Sequence, residues 1–359
     1  MKKWALRPTN QEFISEIPQN NTGKEEVMAT IKEIAQKLGV SVSTVSKGLN
    51  GGSDISEELR QQILDIAVEI GYRTKHSKKV EHRKLCILIE NMDYATPEDF
   101  GYEIVLGFKQ IASREKWQVD VIDVTKAMEQ EEKYDTWLLK HGYSGAFLAG
   151  FAFDDRWTDQ LQDTRMPTVL LDNSIPYNFN VCEVGTDSRE GITLAVEHLY
   201  RLGHRRIAFL NGSRGSLVTS ERQEAFEAAM RQRDLKLDPG LSAYGYYVPE
   251  VAADFVPGFL AGGATAIVCA SDLIAQGVLE ECHKAGKRVP EDVSVIGYDD
   301  IRLAEELEPQ LTTIRQERNM MGRQAYVNLF SLIHNIPVAK TVLRPRLIVR
   351  QSTGPAPIV

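Results

Sequence analysis

From Leu85 to the C-terminus the chain alternates short, unbroken apolar runs with amphipathic stretches, and few architectures accept that alternation. The runs are Leu85–Ile89, Val119–Val124, Ala146–Ala149, Thr168–Leu171, Ile207–Leu210, Ala266–Ala270 and Val293–Gly297. Apolar residues at consecutive rather than alternate positions predict strands buried on both faces, the condition of a parallel sheet covered by helices. Arg189–Arg201, Ser220–Arg231 and Leu273–Ala285 supply helical patterns between them. The expected class is α/β. So many units exceed one comfortable sheet, which predicts two lobes with parallel sheets and a cleft between them over residues 85–359.

Residues 28–72 have a different texture. Thr30-Ile31-Lys32-Glu33 is a capping box that opens a helix through Leu38, and Gly39 supplies a turn. A second helix starts at Val42 or Ser43 and ends at Leu49, before the break Asn50-Gly51-Gly52. Ser56, Glu57 and Glu58 open a third, whose Leu59, Ile63, Ile66, Ala67 and Ile70 share one face and which Gly71 closes. Ala35 is small enough for a close helix crossing, and Gly39 tolerates a positive φ. Val40, Val45 and Leu49 give the second helix a buried face against Ile34 and Leu38. Its other face carries Ser43, Thr44, Ser46 and Lys47 and no acid, side chains suited to phosphates and base edges. The pattern predicts an all-α helix-turn-helix domain that binds DNA; an arbitrary three-helix core would match most of the apolar spacing, but less often Ala-x3-Gly-x5-Val with a polar, acid-free second helix.

The net charge of −8 fits DNA binding only when resolved along the chain. Residues 73–84, RTKHSKKVEHRK, form a basic linker, so the acidic excess lies in the larger domain; affinity depends on where positive charge is presented. Residues 1–27 show no sustained period and read as a disordered extension. Lys24-Glu25-Glu26-Val27 can also be encoded by a purine-rich stretch like a ribosome-binding site, which makes Met28 an alternative start. No apolar run approaches the roughly 18 residues a membrane span needs, and the N-terminus lacks the pattern of a secretion signal, so a cytoplasmic protein is expected. Cys86, Cys182, Cys269 and Cys282 are scattered and match neither a zinc site nor a disulfide framework. The chain contains no GxGxxG, GxSxG, GxxxxGK[ST] or HExxH, so no enzyme, metal or cofactor is expected. A secreted solute-binding protein would share two lobes and a cleft, but would need export and no DNA-binding headpiece.

The segments ATIKEIAQKLGVSVSTVSKGLN and ISEELRQQILDIAVEIGY resemble the headpiece of the lactose-repressor (LacI/GalR) family of transcriptional regulators. DSREGITLAVEHLYRLGHRRIAFLNG, SERQEAF, SDLIAQGVL, VPEDVSVIGYDD and LTTIRQ resemble, in order, signatures of that family's effector domain, a two-lobed fold like that of periplasmic binding proteins. The resemblance implies a repressor that works as a homodimer on near-palindromic operator DNA under the control of a small molecule. It places Val42, Ser43 and Lys47 at base-reading positions, and Thr30, Ser41, Thr44, Ser46 and Asn50 at phosphate-contacting positions. Lys47 stands where many members have arginine; without a planar fork its base preference should be softer. Helix capping or plain solvation is the other reading of Ser41 and Ser46. After Tyr72 the chain departs from the family: the connector is short, with no proline and no Leu-Ala pair for a hinge helix, and Val80 is its one apolar wedge candidate. Little DNA bending and a steep salt dependence are expected.

Ligands of open parallel sheets bind beyond the carboxyl ends of the strands. The resemblance puts Asp172, Arg222 and Asp272 at effector-contacting positions, Tyr247 near an aromatic one, and Phe100, Ser216 and Val218 at further candidates. Carboxylates beside an aromatic ring favour a sugar or sugar derivative. The alternatives stay open: Asp172 capping a turn, Arg222 pairing with Glu221 or Glu224, Tyr246 and Tyr247 belonging to the core, and Asp299 and Asp300 capping a turn or bracing the lobe interface.

Overall fold

The computed structural model describes residues 30–52, 54–70, 72 and 83–358. The N-terminal extension, Gly71, Val80 and nearly all of the basic linker therefore lie outside the described residues. Three helices come first: α1 (Ile31–Leu38), α2 (Val42–Leu49) and α3 (Glu57–Ile70). The first lobe is built from β1 (Lys84–Ile89), α4 (Tyr102–Arg114), β2 (Gln118–Asp123), α5 (Lys126–Glu131), α6 (Tyr134–Lys140), β3 (Ala146–Ala149), α7 (Arg156–Gln160), β4 (Thr168–Leu171) and β5 (Val181–Thr186). The second lobe follows with α8 (Ser188–Arg201), β6 (Ile207–Asn211), α9 (Leu217–Gln232), β7 (Ser242–Tyr244), α10 (Ala252–Ala261), β8 (Ala266–Cys269), α11 (Asp272–Lys284), β9 (Ser294–Asp299), α12 (Leu303–Glu306) and β10 (Thr312–Arg315). The chain then returns through α13 (Arg318–Ile333) and β11 (Lys340–Leu343) to the first lobe, and ends with β12 (Arg346–Ile348) in the second.

The two sheets repeat one strand order, β2-β1-β3-β4-β5-β11 and β7-β6-β8-β9-β10-β12. Every pairing is parallel except β10 with β12, so the expected parallel sheets carry one antiparallel edge. In each lobe the order reverses about the first strand, which opens a crevice at the carboxyl ends of β1 and β3, and again of β6 and β8. Six of the seven runs read as doubly buried strands are so, β1, β3, β4, β6, β8 and β9 burying nearly every residue; the seventh, Val119–Val124, is the half-exposed β2 at the edge of its sheet, where it has a neighbour on one side alone. Chain crossings at 187, 316–317 and 344–345 join the lobes, a geometry that lets them turn about a narrow waist.

The headpiece packs as its sequence predicts. Ile34, Val45, Ile63 and Ala67 are fully buried, and Leu38, Val40 and Leu49 close over them. Gly39 ends α1 at φ 66°, a conformation that costs an L side chain about 1 kcal/mol. All four cysteines are buried and free. Among the described residues no helix is long and apolar enough to cross a membrane.

Candidate DNA-reading face and effector cleft

Helix α2 presents its polar face to solvent because its apolar face is spent on the three-helix core. Val42 keeps 45% of its surface exposed, and Ser43 and Lys47 lie open beside it. The residues assigned to phosphates hold the helix in place. Ser41 caps α2, its Oγ accepting from Thr44 N at 3.0 Å and lying 2.8 Å from Thr44 Oγ1. Thr30 closes the capping box of α1 with Glu33 at 3.4 and 3.2 Å. Asn50 Nδ2 donates to Ser46 O at 2.8 Å. Capping accounts for the Ser41 oxygen as an acceptor; where Thr44 Oγ1 is the donor of their mutual bond, the Ser41 hydroxyl hydrogen is left to donate, so the two roles are compatible. One residue was missed by sequence reasoning: Asp54 pairs with Lys47, an acid brought onto an acid-free helix from the following loop.

At the cleft, several of the expected residues converge from both lobes. Arg222 on α9 is 3% exposed; its Nη1 donates to Ala270 O at 2.6 Å and its guanidinium lies 3.8 Å over the Tyr298 ring. Among the described residues Arg222 Nε has no partner. The alternative pairing of Arg222 with Glu221 or Glu224 is not made: Glu221 pairs with Lys340. Asp172, from the first lobe, follows β4 with φ 51° and faces Arg222. Burial pushes its carboxyl up to about 7, against the pull of Arg222. Asp299 is raised by burial to about 6, offset by Arg222 and by Gln316, whose Nε2 donates to it at 2.7 Å.

Tyr247 hydrogen-bonds Thr219 Oγ1 at 3.0 Å and packs on the second lobe's core, whereas Tyr246 is 70% exposed. Asp272 is fully enclosed: its oxygens accept from Thr313 Oγ1 at 2.6 Å and from Ile301 N at 2.8 Å. Its own chain satisfies that carboxylate, so it braces the rim of the cleft rather than lying open to solvent. Asp300 is engaged by Arg315 and by Arg350 at 2.7 Å, both in its own lobe, so these ion pairs brace the second lobe rather than the interface between lobes. Phe100 is half-buried, and its carbonyl accepts from Arg318 at 3.4 Å. Ser216 precedes α9 without capping it, and Val218 is buried. Lys340, on a strand too polar to be read from sequence, bridges Glu183 of its own lobe at 2.7 Å and Glu221 of the other at 3.2 Å. Phe153 N donates to Gly215 O at 3.5 Å, and Arg302 meets Glu98 at 3.4 Å, two further links across the cleft.

One carboxylate cluster, Glu90, Glu129 and Asp155, lies on the first lobe, and the Lys126 ammonium stands among its three members. An internal cation thus already occupies the position a metal ion would take.

Two family models match separate stretches of the chain. Residues 30–75 match the model for bacterial regulatory proteins of the lacI family, and residues 196–353 match a periplasmic binding protein-like domain. The chain is 28% identical over 344 residues to the HTH-type transcriptional repressor CytR of Escherichia coli K12, covering 93% of this chain and 99% of that one. Among solved structures it resembles a LacI transcriptional regulator from a Rhodococcus species, with 30% identity, 77% of this chain and 100% of the other covered, and a TM-score of 0.66. It also resembles a complex of the transcriptional regulator CelR with cellobiose, with 26% identity, 90% and 99% covered, and a TM-score of 0.69.

Proposed function

Because this chain belongs to the lacI family of bacterial regulatory proteins, we propose that it is a repressor in which α2 reads operator DNA and the interlobe cleft senses a carbohydrate. It is a sequence-specific DNA-binding regulator controlled by a small molecule, and its relatives are named repressors. The observation that carries the assignment of α2 is its geometry: Val42, Ser43 and Lys47 share an exposed face on a helix whose opposite side is fixed by Val45 and Gly48 against Ile63. Thr30, Ser41, Thr44, Ser46 and Asn50 would hold phosphates, with residues 28–72 as the headpiece, 73–84 as the linker and 85–359 as the effector and dimerisation domain. Two copies of this chain would present two headpieces to a near-palindromic operator, about one helical turn apart. No catalytic role is assigned to the cleft, whose charged groups bind one another rather than expose a nucleophile beside a base.

The sugar reading rests on chemistry at the cleft. Asp172 and Arg222 offer an acceptor and donors, with the Tyr247 ring nearby, a set that suits hydroxyls of a polyol more than an apolar ligand. The similarity to a CelR–cellobiose complex supports the same class. A gel shift of DNA upstream of the protein's own gene, repeated with a panel of mono- and disaccharides, tests both parts. A sugar-dependent change in a specific shift is expected; a shift altered only by nucleobases or amino acids would remove the carbohydrate assignment, and no preference over random duplex would remove the regulator's DNA site.

A further inference from the structure

Tyr298, near the end of β9, is fully buried, and the Arg222 guanidinium lies 3.8 Å from the centre of its ring. The tip of the ring is seated against α8, where Gly191 makes room for it: a Cβ there would stand 2.5 Å from the hydroxyl oxygen and 3.0 Å from Cε2. One ring is thus wedged between the first turn of α8 and a cation. Arg222 is pinned from a second direction, because its Nη1 donates to Ala270 O at 2.6 Å. Two acids act on it, Asp299 from its own lobe and Asp172 from the other. Among the described residues it makes a hydrogen bond or ion pair with neither. Asp172 is also faced by Glu183 and Glu221, both paired with Lys340, and Asp299 by Gln316, Arg318 and Asp272. A guanidinium free to move beside buried carboxylates would close on one of them, since attraction grows as distance and local dielectric fall.

We infer that Tyr298 is a positioning residue of the effector cleft, its ring holding the Arg222 guanidinium off Asp172 and Asp299 so that the cleft keeps donors and acceptors apart for a ligand. The inference rests on Arg222 and Asp172 being effector contacts. The attraction comes from the face of the ring, so phenylalanine supplies it and leucine does not. It is strongest where water is excluded, and Arg222 is 3% exposed. With the ring gone, Arg222 pairs with an acid of its own chain. A ligand hydroxyl must then break that pair before it is bound, and affinity falls although no ligand contact has been removed.

The test follows the Asp172 and Asp299 carboxyls in the full chain by infrared titration with isotope-labelled aspartate, D172N and D299N assigning the two signals. In Y298L one of the two should titrate lower than in wild type by about one pH unit, the effect of a newly adjacent cation, whereas Y298F should match wild type. G191A, which forces the tip of the ring aside, should shift the same carboxyl partway. G191A/Y298F removes the atom nearest the added methyl and should bring it back, and this pair decides the matter if Y298L does not fold. Unchanged titrations in folded Y298L, or a G191A shift that Y298F leaves in place, would overturn the inference. So would a rise at both carboxyls, since the ring would then be holding Arg222 toward the acids. Gel shifts with the panel of mono- and disaccharides give a second readout: Y298L should need about tenfold more of the sugar that acts on wild type. An unaltered requirement would remove the role in ligand binding. A panel inactive on wild type is a separate result; it removes the carbohydrate assignment and leaves the ligand-free titration to decide on Tyr298.

Discussion

Asp172 is where a single proton has the most consequence. In the fold its carboxyl is pushed up to about 7 from an ordinary value of 3.8, because burial disfavours the charge more than Arg222 favours it. A raised acid binds its proton more tightly in the native chain than in the unfolded one. Its stabilising contribution is therefore complete below the unfolded value and disappears as the pH climbs through the folded one. Asp299, raised to about 6, adds a smaller loss in the same direction. Thermal unfolding from about pH 5 to about pH 8 should show wild type losing stability. D172N should lose less, by on the order of 1–2 kcal/mol once partial solvent access is allowed for. Parallel curves for the two proteins would mean that Asp172 is charged throughout. An acceptor near neutrality also has a binding consequence: a ligand that donates to the ionised Asp172 gains affinity as the pH rises, whereas one that accepts from the protonated form loses it.

Among the described residues, α3 and α6 pack the headpiece against the body of the protein. Lys140 Nζ approaches Glu57 Oε1 at 3.3 Å and Glu132 at 3.7 Å, Arg60 donates to Lys140 O at 3.3 Å, and Thr136 donates to Asp65 at 3.4 Å. A cleft of about 590 Å³, lined by residues including Gln61, Trp137 and His141, opens beside these contacts. The joint uses α3 and leaves the Val42–Lys47 face of α2 uncovered, so it orients the reading helix instead of hiding it. Orientation matters most where two headpieces bind together. E57K should therefore weaken binding to a duplex with two half-sites about threefold, the scale of one exposed ion pair, and single-half-site binding less. K140E added to E57K should recover part of the loss, and equal losses on both duplexes would exclude an orienting role. The helices of the joint were readable one at a time from caps and apolar spacing, but their meeting was not, since polar residues about 80 positions apart carry no local sign of pairing. The same division holds for strands. β1, β3, β4, β6, β8 and β9 are apolar without interruption and were legible. β5 was missed because Glu183 and Gly185 interrupt it, and β11 because Lys340 and Thr341 give it the texture of a loop. At the sites, the reading face of α2 was visible because capping and periodicity are local. Lys340, Gln316 and Asp54 were not, because each acquires its role from a partner delivered by another segment.

Across the whole molecule, regulation requires that the two lobes have more than one relation to each other and that the effector and DNA favour different ones. The lobes are tied here by groups at separate points around the cleft: Lys340 with Glu221, Arg302 with Glu98, and the Phe153 amide with Gly215 O. Lys340 is the most firmly placed, because Glu183, buried in its own lobe, holds the ammonium at 2.7 Å whether or not Glu221 is present. E221Q thus removes the link across the cleft while leaving Lys340 anchored. An ion pair of this exposure contributes about 0.2–1 kcal/mol, so closure should become roughly 1.4- to fivefold less favourable. If the effector binds the closed form, its affinity falls by no more than that factor, and the free protein's operator affinity shifts toward that of the open form. Linkage makes the two changes mutually checkable: the factor by which effector alters operator binding must equal the factor by which operator alters effector binding, in wild type and in E221Q alike. Calorimetry for the sugar and anisotropy for the duplex, each with and without the other ligand, close that cycle. If E221Q altered effector affinity and left operator affinity and the coupling factor untouched, Glu221 would be a ligand contact and lobe closure would not be what reaches the headpiece.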